Sequence, residues 1–214
     1  SALADNIRQS QSSDTRNQTL ADKQRQAQKK EAKRLEGLWD SDPMSPVRAA
    51  REVASALPGD TIVVDESITN SGEVSNAIQT ISPHQFYGGR GGGIGQGIAG
   101  AIGIQIAHPS SRVVCLSGDG SAMYSIQALW SAAHHQLPIL FIIWANREYR
   151  VLKHNLDIYR SRYDTPSNEP YPYMDLEQPI IDFVSIAKGH GVYAEKIEEP
   201  KNIASAVSQA LGRR

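Results

Sequence analysis

The stretch from Val113 to Leu152 limits what this chain can fold into more than any other. It runs VVCLSGDGSAMYSIQALWSAAHHQLPILFIIWANREYRVL. Val113 to Leu116 is a short apolar run that ends in Ser117-Gly118-Asp119-Gly120-Ser121. Met123, Ile126, Leu129, Trp130 and Ala133 follow at helical spacing, and Pro138 ends that periodicity. Ile139 to Trp144 reads as a second buried strand, closed by Ala145-Asn146-Arg147-Glu148. Two strands joined by a crossover helix form a βαβ unit, so both polar turns fall at the C-terminal edge of a parallel sheet. Open α/β sheets bind ligands at that edge.

The two turns carry a carboxylate, Asp119, and a carboxamide, Asn146. Glycines on either side of Asp119 let backbone N–H groups approach a ligand closely, which suits a phosphate. Carboxylate, amide and carbonyl oxygens are hard ligands suited to Mg²⁺ bound together with phosphates. The alternative is a sharp connection in which Asp119 only caps the next helix.

The rest of the chain fits one α/β domain with a polar extension. It has 214 residues, 40% hydrophobic, with a formal net charge of −1, a balance that argues against nucleic acid as a partner. No apolar run is long enough to span a bilayer, and the polar start is no secretory signal. The single cysteine, Cys115, lies inside an apolar strand, which fits an inert thiol and a cytoplasmic setting. Ser1 to Glu36 is dominated by Gln, Lys, Arg, Asp and Ser; Lys23 to Arg34 suits either a solvated helix or a flexible linker. The expected organisation is a polar connector from a preceding domain over 1–38 and a single domain over 39–214.

Pro46 to Leu57 is an amphipathic helix, Pro58-Gly59-Asp60 a turn, and Thr61 to Val64 the first strand. Asp65 to Asn70 leaves that strand's end and opens another helix, which Thr69 could cap. The run Phe86 to Gly97 is dense in glycine and contains G-x-G-x-x-G at Gly95, Gly97 and Gly100, which makes a nicotinamide or flavin dinucleotide fold the rival reading. That fingerprint needs an apolar strand before its first glycine, and Gly, Arg and Tyr stand there instead. A small-residue helix covers Ile94 to Ala107. Asp164 to Pro179 reads as a loop with aromatic anchors; Phe183 to Gly191 is a helix, Val192 to Ala194 a strand, and Ile203 to Leu211 a final helix. Together these predict a doubly wound parallel sheet with helices on both faces.

Gly118-Asp119-Gly120-Ser121, the helix, and then Asn146-Arg147-Glu148-Tyr149 resemble the diphosphate- and metal-binding motif of thiamine diphosphate enzymes. The wording GDGSAMYSIQALWSAA and FVSIAKGHGV resembles the benzoylformate decarboxylase and acetolactate synthase branch, from about Pro46 to the C-terminus. The resemblance implies thiamine diphosphate and Mg²⁺ as cofactors. Metal ligation would fall to Asp119, Asn146 and the backbone oxygen of Glu148. Gly118, Gly120, Ser121 and Tyr149 would contact the diphosphate, as would Ile68 and Thr69 after the first strand. Ile94 would prop the thiazolium ring against the aminopyrimidine, with the Gly92 carbonyl accepting from the amino group; an ordinary core role is the alternative for Ile94. Leu152 would border the substrate pocket. Family members often carry glycine at the position of Arg147, so a positive φ there would be costly.

The activity so implied is decarboxylation or carboligation of a 2-keto acid. An acetolactate synthase-like domain is the alternative, with a non-catalytic interaction domain a further one. The family's catalytic glutamate belongs to a separate pyrimidine-binding domain, usually on a partner subunit of a homodimer or homotetramer. This chain alone is then expected to bind cofactor weakly and catalyse nothing. The family also continues into one more strand, so a C-terminal truncation is expected.

Overall fold

The structure, a computed structural model, describes residues 11–78, 82–89 and 91–213. The first ten residues of the polar segment and Arg90 of the glycine run lie outside them. Its elements in chain order are α1 (Gln11–Leu38), α2 (Pro46–Ala56), β1 (Ile62–Glu66), a 3₁₀ turn (Ile68–Asn70), α3 (Ser71–Ala77), β2 (Phe86–Gly88) and α4 (Gln96–Ala107). There follow β3 (Val113–Gly118), α5 (Asp119–Ala122), α6 (Ala128–His134), β4 (Ile139–Trp144), α7 (Arg150–Arg162), α8 (Phe183–Gly189) and α9 (Pro200–Gly212).

The chain divides into two compact units, 1–48 and 49–214. In the first, the polar run forms a 28-residue helix whose described side chains are mostly exposed. Past its end Arg48 lies 4.5 Å over the Trp39 ring and bonds Asp40 at 2.9 Å.

The second unit is built on a four-stranded parallel sheet in the order β2-β1-β3-β4. The chain steps one way from β1 to β2 and the other way from β2 to β3, so the order reverses between the ends of β1 and β3. β3 carries the core: Val113, Val114, Cys115 and Leu116 are all fully buried. Each of the valines and Leu116 contributes about 1.5–3 kcal/mol relative to exposure. One face joins Ile62, Val64, Val113 and Cys115 to Ile98 and Ala101 of α4 and Leu129 of α6. Val63, Val114 and Leu116, equally buried, point to the other face because side chains alternate along a strand. Burial also pushes the Cys115 thiol far above its ordinary pKa, helped by the Glu66 and Asp65 charges.

Two expectations need correction. The helical segment read from Met123 to Ala133 is interrupted between α5 and α6, and Trp130 and Met123 are 55% and 39% exposed. Between α5 and α6 the backbone bonds are of the i+3 kind, as in Tyr124 N–H to Ser121 and Leu129 N–H to Ile126. Such tight turns advance the phase faster than an α-helix, so Leu129 and Ala132 turn inward while Met123 and Trp130 face out. Val192 to Ala194 forms no strand. Val192 and Ala194 pack against the core, but Val192 N–H bonds the carbonyl of Ala187, where it closes the end of α8, and enters no ladder.

Candidate cofactor site

The register fixes what meets at the C-terminal edge of the sheet. Glu66 of β1 stands beside Ser117 of β3, and Gly118 beside Trp144 of β4. Residues that continue from these strand ends therefore converge at the point where strand order reverses. Trp144 adds a cross-tie, its Nε1 donating to Ser67 Oγ at 2.8 Å.

Asp119 opens α5 and is 4% exposed. Its Oδ1 accepts from Gly120 N–H at 2.8 Å and its Oδ2 from Arg147 N–H at 2.6 Å, so the carboxylate links the β3 turn to the β4 turn. No cationic side chain pairs with it among the described residues. Burial pushes its carboxyl up from the ordinary value, the Arg147 and Gly120 N–H groups oppose this, and the Glu148 charge adds to the rise. Such a group gains from a cation. Asn146 is exposed beside it, its Oδ1 accepting from Glu148 N–H at 3.1 Å.

Arg147 has a φ of 60°, the left-handed conformation that glycine adopts freely. For arginine this costs about 1–2 kcal/mol. The bond to Asp119 and one from Leu176 N–H to the Arg147 carbonyl, at 2.7 Å, hold it there. Glu148 turns its side chain away into ion pairs with Arg150 at 2.9 Å and Lys153 at 2.6 Å. The Lys153 bond, chiefly, holds the Glu148 carboxyl below its usual range. Lys153 also pairs with Asp175. The aromatic-rich stretch thus returns to the site as a short antiparallel piece, with Glu148 opposite Asp175 and Tyr149 N–H on the Met174 carbonyl at 2.8 Å.

Tyr149 lies against Gly120, where an added Cβ would fall 2.4 Å from Tyr149 Cε1. Gly118 and the buried Ser121 complete the same turn. Ile68 and Thr69 sit in the 3₁₀ turn after β1, Ile68 at φ 52° and Thr69 exposed. Thr69 does not cap α3; Asn70 holds that position. α7 contacts this turn, and its Leu152 is 46% exposed. The loop of Gly92 and half-buried Ile94 is drawn in through Gly95, where a Cβ would lie 2.5 Å from that of Tyr124.

Sequence reasoning placed Glu66 at the start of the diphosphate loop running to Thr69 but gave its side chain no role, yet that side chain joins these parts. Its Oε1 accepts from Gly95 N–H at 2.8 Å and Gln96 N–H at 2.9 Å, and its Oε2 from Gly97 N–H at 3.0 Å. The signal was present: α4 begins Gly95-Gln96-Gly97 with no capping side chain of its own, so its first N–H groups need an acceptor from elsewhere. This disposes of the dinucleotide rival. In that fold the pyrophosphate occupies the N-terminus of the helix that follows the glycines, and here a buried carboxylate already does.

What remains for a ligand is an oxygen-rich edge of two neighbouring turns. Among the described residues no three His, Cys, Asp or Glu side chains cluster as a metal site, so a cation there must draw on amide, carbonyl and ligand oxygens besides Asp119. That donor set suits Mg²⁺ carrying a phosphorylated ligand.

Fold and site define a doubly wound α/β domain that binds at its switch point. The family model for the C-terminal TPP (thiamine pyrophosphate, that is, thiamine diphosphate) binding domain of thiamine pyrophosphate enzymes matches residues 68–214, and the chain belongs to that family. IlvX of Mycobacterium tuberculosis, an acetolactate synthase-type large subunit by name, is 36% identical over 168 residues, covering 78% of this chain and 32% of that protein. Benzoylformate decarboxylase of Pseudomonas aeruginosa is 31% identical over 172 residues, covering 80% and 31%. The solved thiamine diphosphate-dependent 4-hydroxybenzoylformate decarboxylase of Rhodococcus jostii superposes with a TM-score of 0.73 at 32% identity, over 81% of this chain and 31% of that one. The chain thus spans about a third of the length of these relatives.

Proposed function

We propose that this chain holds thiamine diphosphate through Mg²⁺ for a 2-keto acid decarboxylase or carboligase of the benzoylformate decarboxylase type. The observation that carries the reading is the buried Asp119 carboxylate, without a cationic partner, bonded across to the turn that presents Asn146. Asp119, Asn146 and the Glu148 carbonyl would hold the metal, while Gly118, Gly120, Ser121, Tyr149, Ile68 and Thr69 line the diphosphate. Gly92 and Ile94 would support the rings, and Leu152 borders the substrate. The bound cofactor supplies the electron sink for cleaving the bond next to the keto group. The chain's residues position it and neutralise its charge.

A second reading, an acetolactate synthase-like enzyme that joins two keto acids, is favoured by the identity to IlvX. In either case we assign the proton-relaying glutamate to a separate pyrimidine-binding domain, on a partner subunit of a homo-oligomer. Residues 1–38 would be the connector to such a domain, with 39–214 as the cofactor-binding body. The single buried cysteine supports a cytoplasmic setting.

Calorimetric titration with thiamine diphosphate, with and without Mg²⁺, tests the reading. Magnesium-dependent binding that disappears in Asp119→Ala is the expected result. Equal binding by a folded Asp119→Ala variant would refute it.

A further inference from the structure

We infer that Glu66 is a positioning residue for the cofactor's rings: its carboxylate sets the backbone on either side of Ile94 and takes no part in holding the diphosphate. The inference rests on the cofactor reading above and deepens it. Glu66 is 2% exposed at the end of β1, and its two oxygens take three consecutive N–H groups at the start of α4. The first belongs to Gly95, the residue after Ile94. On the other side of Ile94, the Gly93 carbonyl accepts from Gln96 Nε2 at 2.8 Å, so the loop closes on the turn that Glu66 anchors.

The loop is rich in glycine, and besides this anchor Gly95 packs against Tyr124. Gly91, Gly92 and Gly95 stand at φ 76°, 78° and 96°, and no atom lies near where a Cβ would project from Gly91 or Gly92. Glycine backbone of this kind is conformationally soft, so its geometry is set by its anchor. The packing is built around that anchor: a Cβ on Gly97 would lie 2.9 Å from both Cβ and Oε2 of Glu66. The same carboxylate satisfies the positive end of α4 and repels a second anion there, which leaves the diphosphate to the Asp119 side. Ring support and diphosphate binding are thereby divided between two strand ends.

The division can be measured with two ligands, Mg²⁺–thiamine diphosphate and Mg²⁺–pyrophosphate, titrated calorimetrically into the chain and its variants. In Glu66→Gln the amide turns a donor toward an N–H group, so one charge-assisted bond is lost and a repulsive contact is gained. We expect thiamine diphosphate to bind about tenfold more weakly, with pyrophosphate changed by less than about twofold. Gly97→Ala, which pushes the carboxylate from the other side, should show the same selectivity, and the double variant should be less than additive. A purely structural role would lower both affinities together or only the melting temperature, and would overturn the inference. Unchanged affinities for both ligands would do so too, as would failure of both variants to fold by circular dichroism. A wild-type chain that binds neither ligand would refute the cofactor reading itself, and the role of Glu66 with it.

Discussion

Replacing Gly120 by alanine puts the contact between the β3 and β4 turns to a quantitative test. Gly120 lies within α5, so alanine on its own would favour the helix by about 1 kcal/mol. The new methyl carbon, however, would stand 2.4 Å from Tyr149 Cε1, 2.9 Å from Cδ1 and 3.2 Å from Cζ. Carbon atoms prefer about 3.5–4.0 Å, so the ring must retreat by roughly 1 Å. Its backbone is pinned by the Tyr149 N–H bond to Met174, which limits that retreat. Overpacking of this kind costs about 1–3 kcal/mol; because the pinned backbone limits relaxation we take the upper part of that range, about 2–3 kcal/mol, and after the helical gain a net loss of about 1–2 kcal/mol remains. For a domain of this size the melting temperature should fall by about 2–8 °C. Thermal unfolding by circular dichroism reads the loss, and titration with Mg²⁺–thiamine diphosphate should show weaker binding. Tyr149→Ala removes the obstacle, so the double variant should recover most of the deficit that Gly120→Ala adds. A Gly120→Ala protein with wild-type melting and affinity, or strict additivity of the two changes, would refute the reasoning.

Arg147→Gly should raise stability by about 0.5–1 kcal/mol, since relief of the left-handed backbone outweighs the looser unfolded chain; chemical denaturation checks this. Asp182 caps α8, accepting from Ser185 N–H at 3.0 Å and Ser185 Oγ at 2.6 Å, and the Ser185 hydroxyl, chiefly, holds its carboxyl below the usual value. Its contribution is therefore complete above the unfolded pKa of about 3.9 and disappears as pH falls through the lower folded value. Asp182→Ala should be less stable than wild type at neutral pH, and the gap in urea midpoints should close in strong acid. Cys115, fully buried with its thiol pKa pushed up, should resist thiol reagents in the native state and react once in urea, so its labelling follows unfolding.

The sequence revealed the site where its parts lie close together along the chain. Asp119 and Asn146 each follow an apolar run that reads as a strand, and the crossover between them forces their turns to one edge. The positive φ at Arg147 was signalled by the resemblance, since family members often carry glycine at that position. Glu66 could be read only in part: the uncapped start of α4 calls for an acceptor, but the N–H groups it binds lie some thirty residues away and nothing in the sequence names Glu66 as that acceptor. The break in the Met123 to Ala133 helix was missed for a different reason. The helical pattern is real in spacing, but tight turns between α5 and α6 rotate its phase. Val192 to Ala194 has the composition of a strand and packs like one against the core, yet its backbone bonds to α8. The path of the Asp164 to Pro179 stretch also depended on tertiary partners: Asp175 meets Lys153, and Met174 meets Tyr149.

β3 pairs with β1 on one side and β4 on the other, which makes it the ruler of the molecule. A slip of one residue would move Asp119 by about 3.3 Å and turn every β3 side chain to the opposite face. Val113 and Cys115 would exchange faces with Val114 and Leu116, losing their packing against α4 and α6 in the same movement that parts Asp119 from Arg147. A misregistered strand therefore keeps neither the native packing nor half of the ligand edge. Hydrogen exchange at the Arg147 amide and loss of cofactor affinity should then trace a single cooperative event, with the pairing of the central strand as its clock.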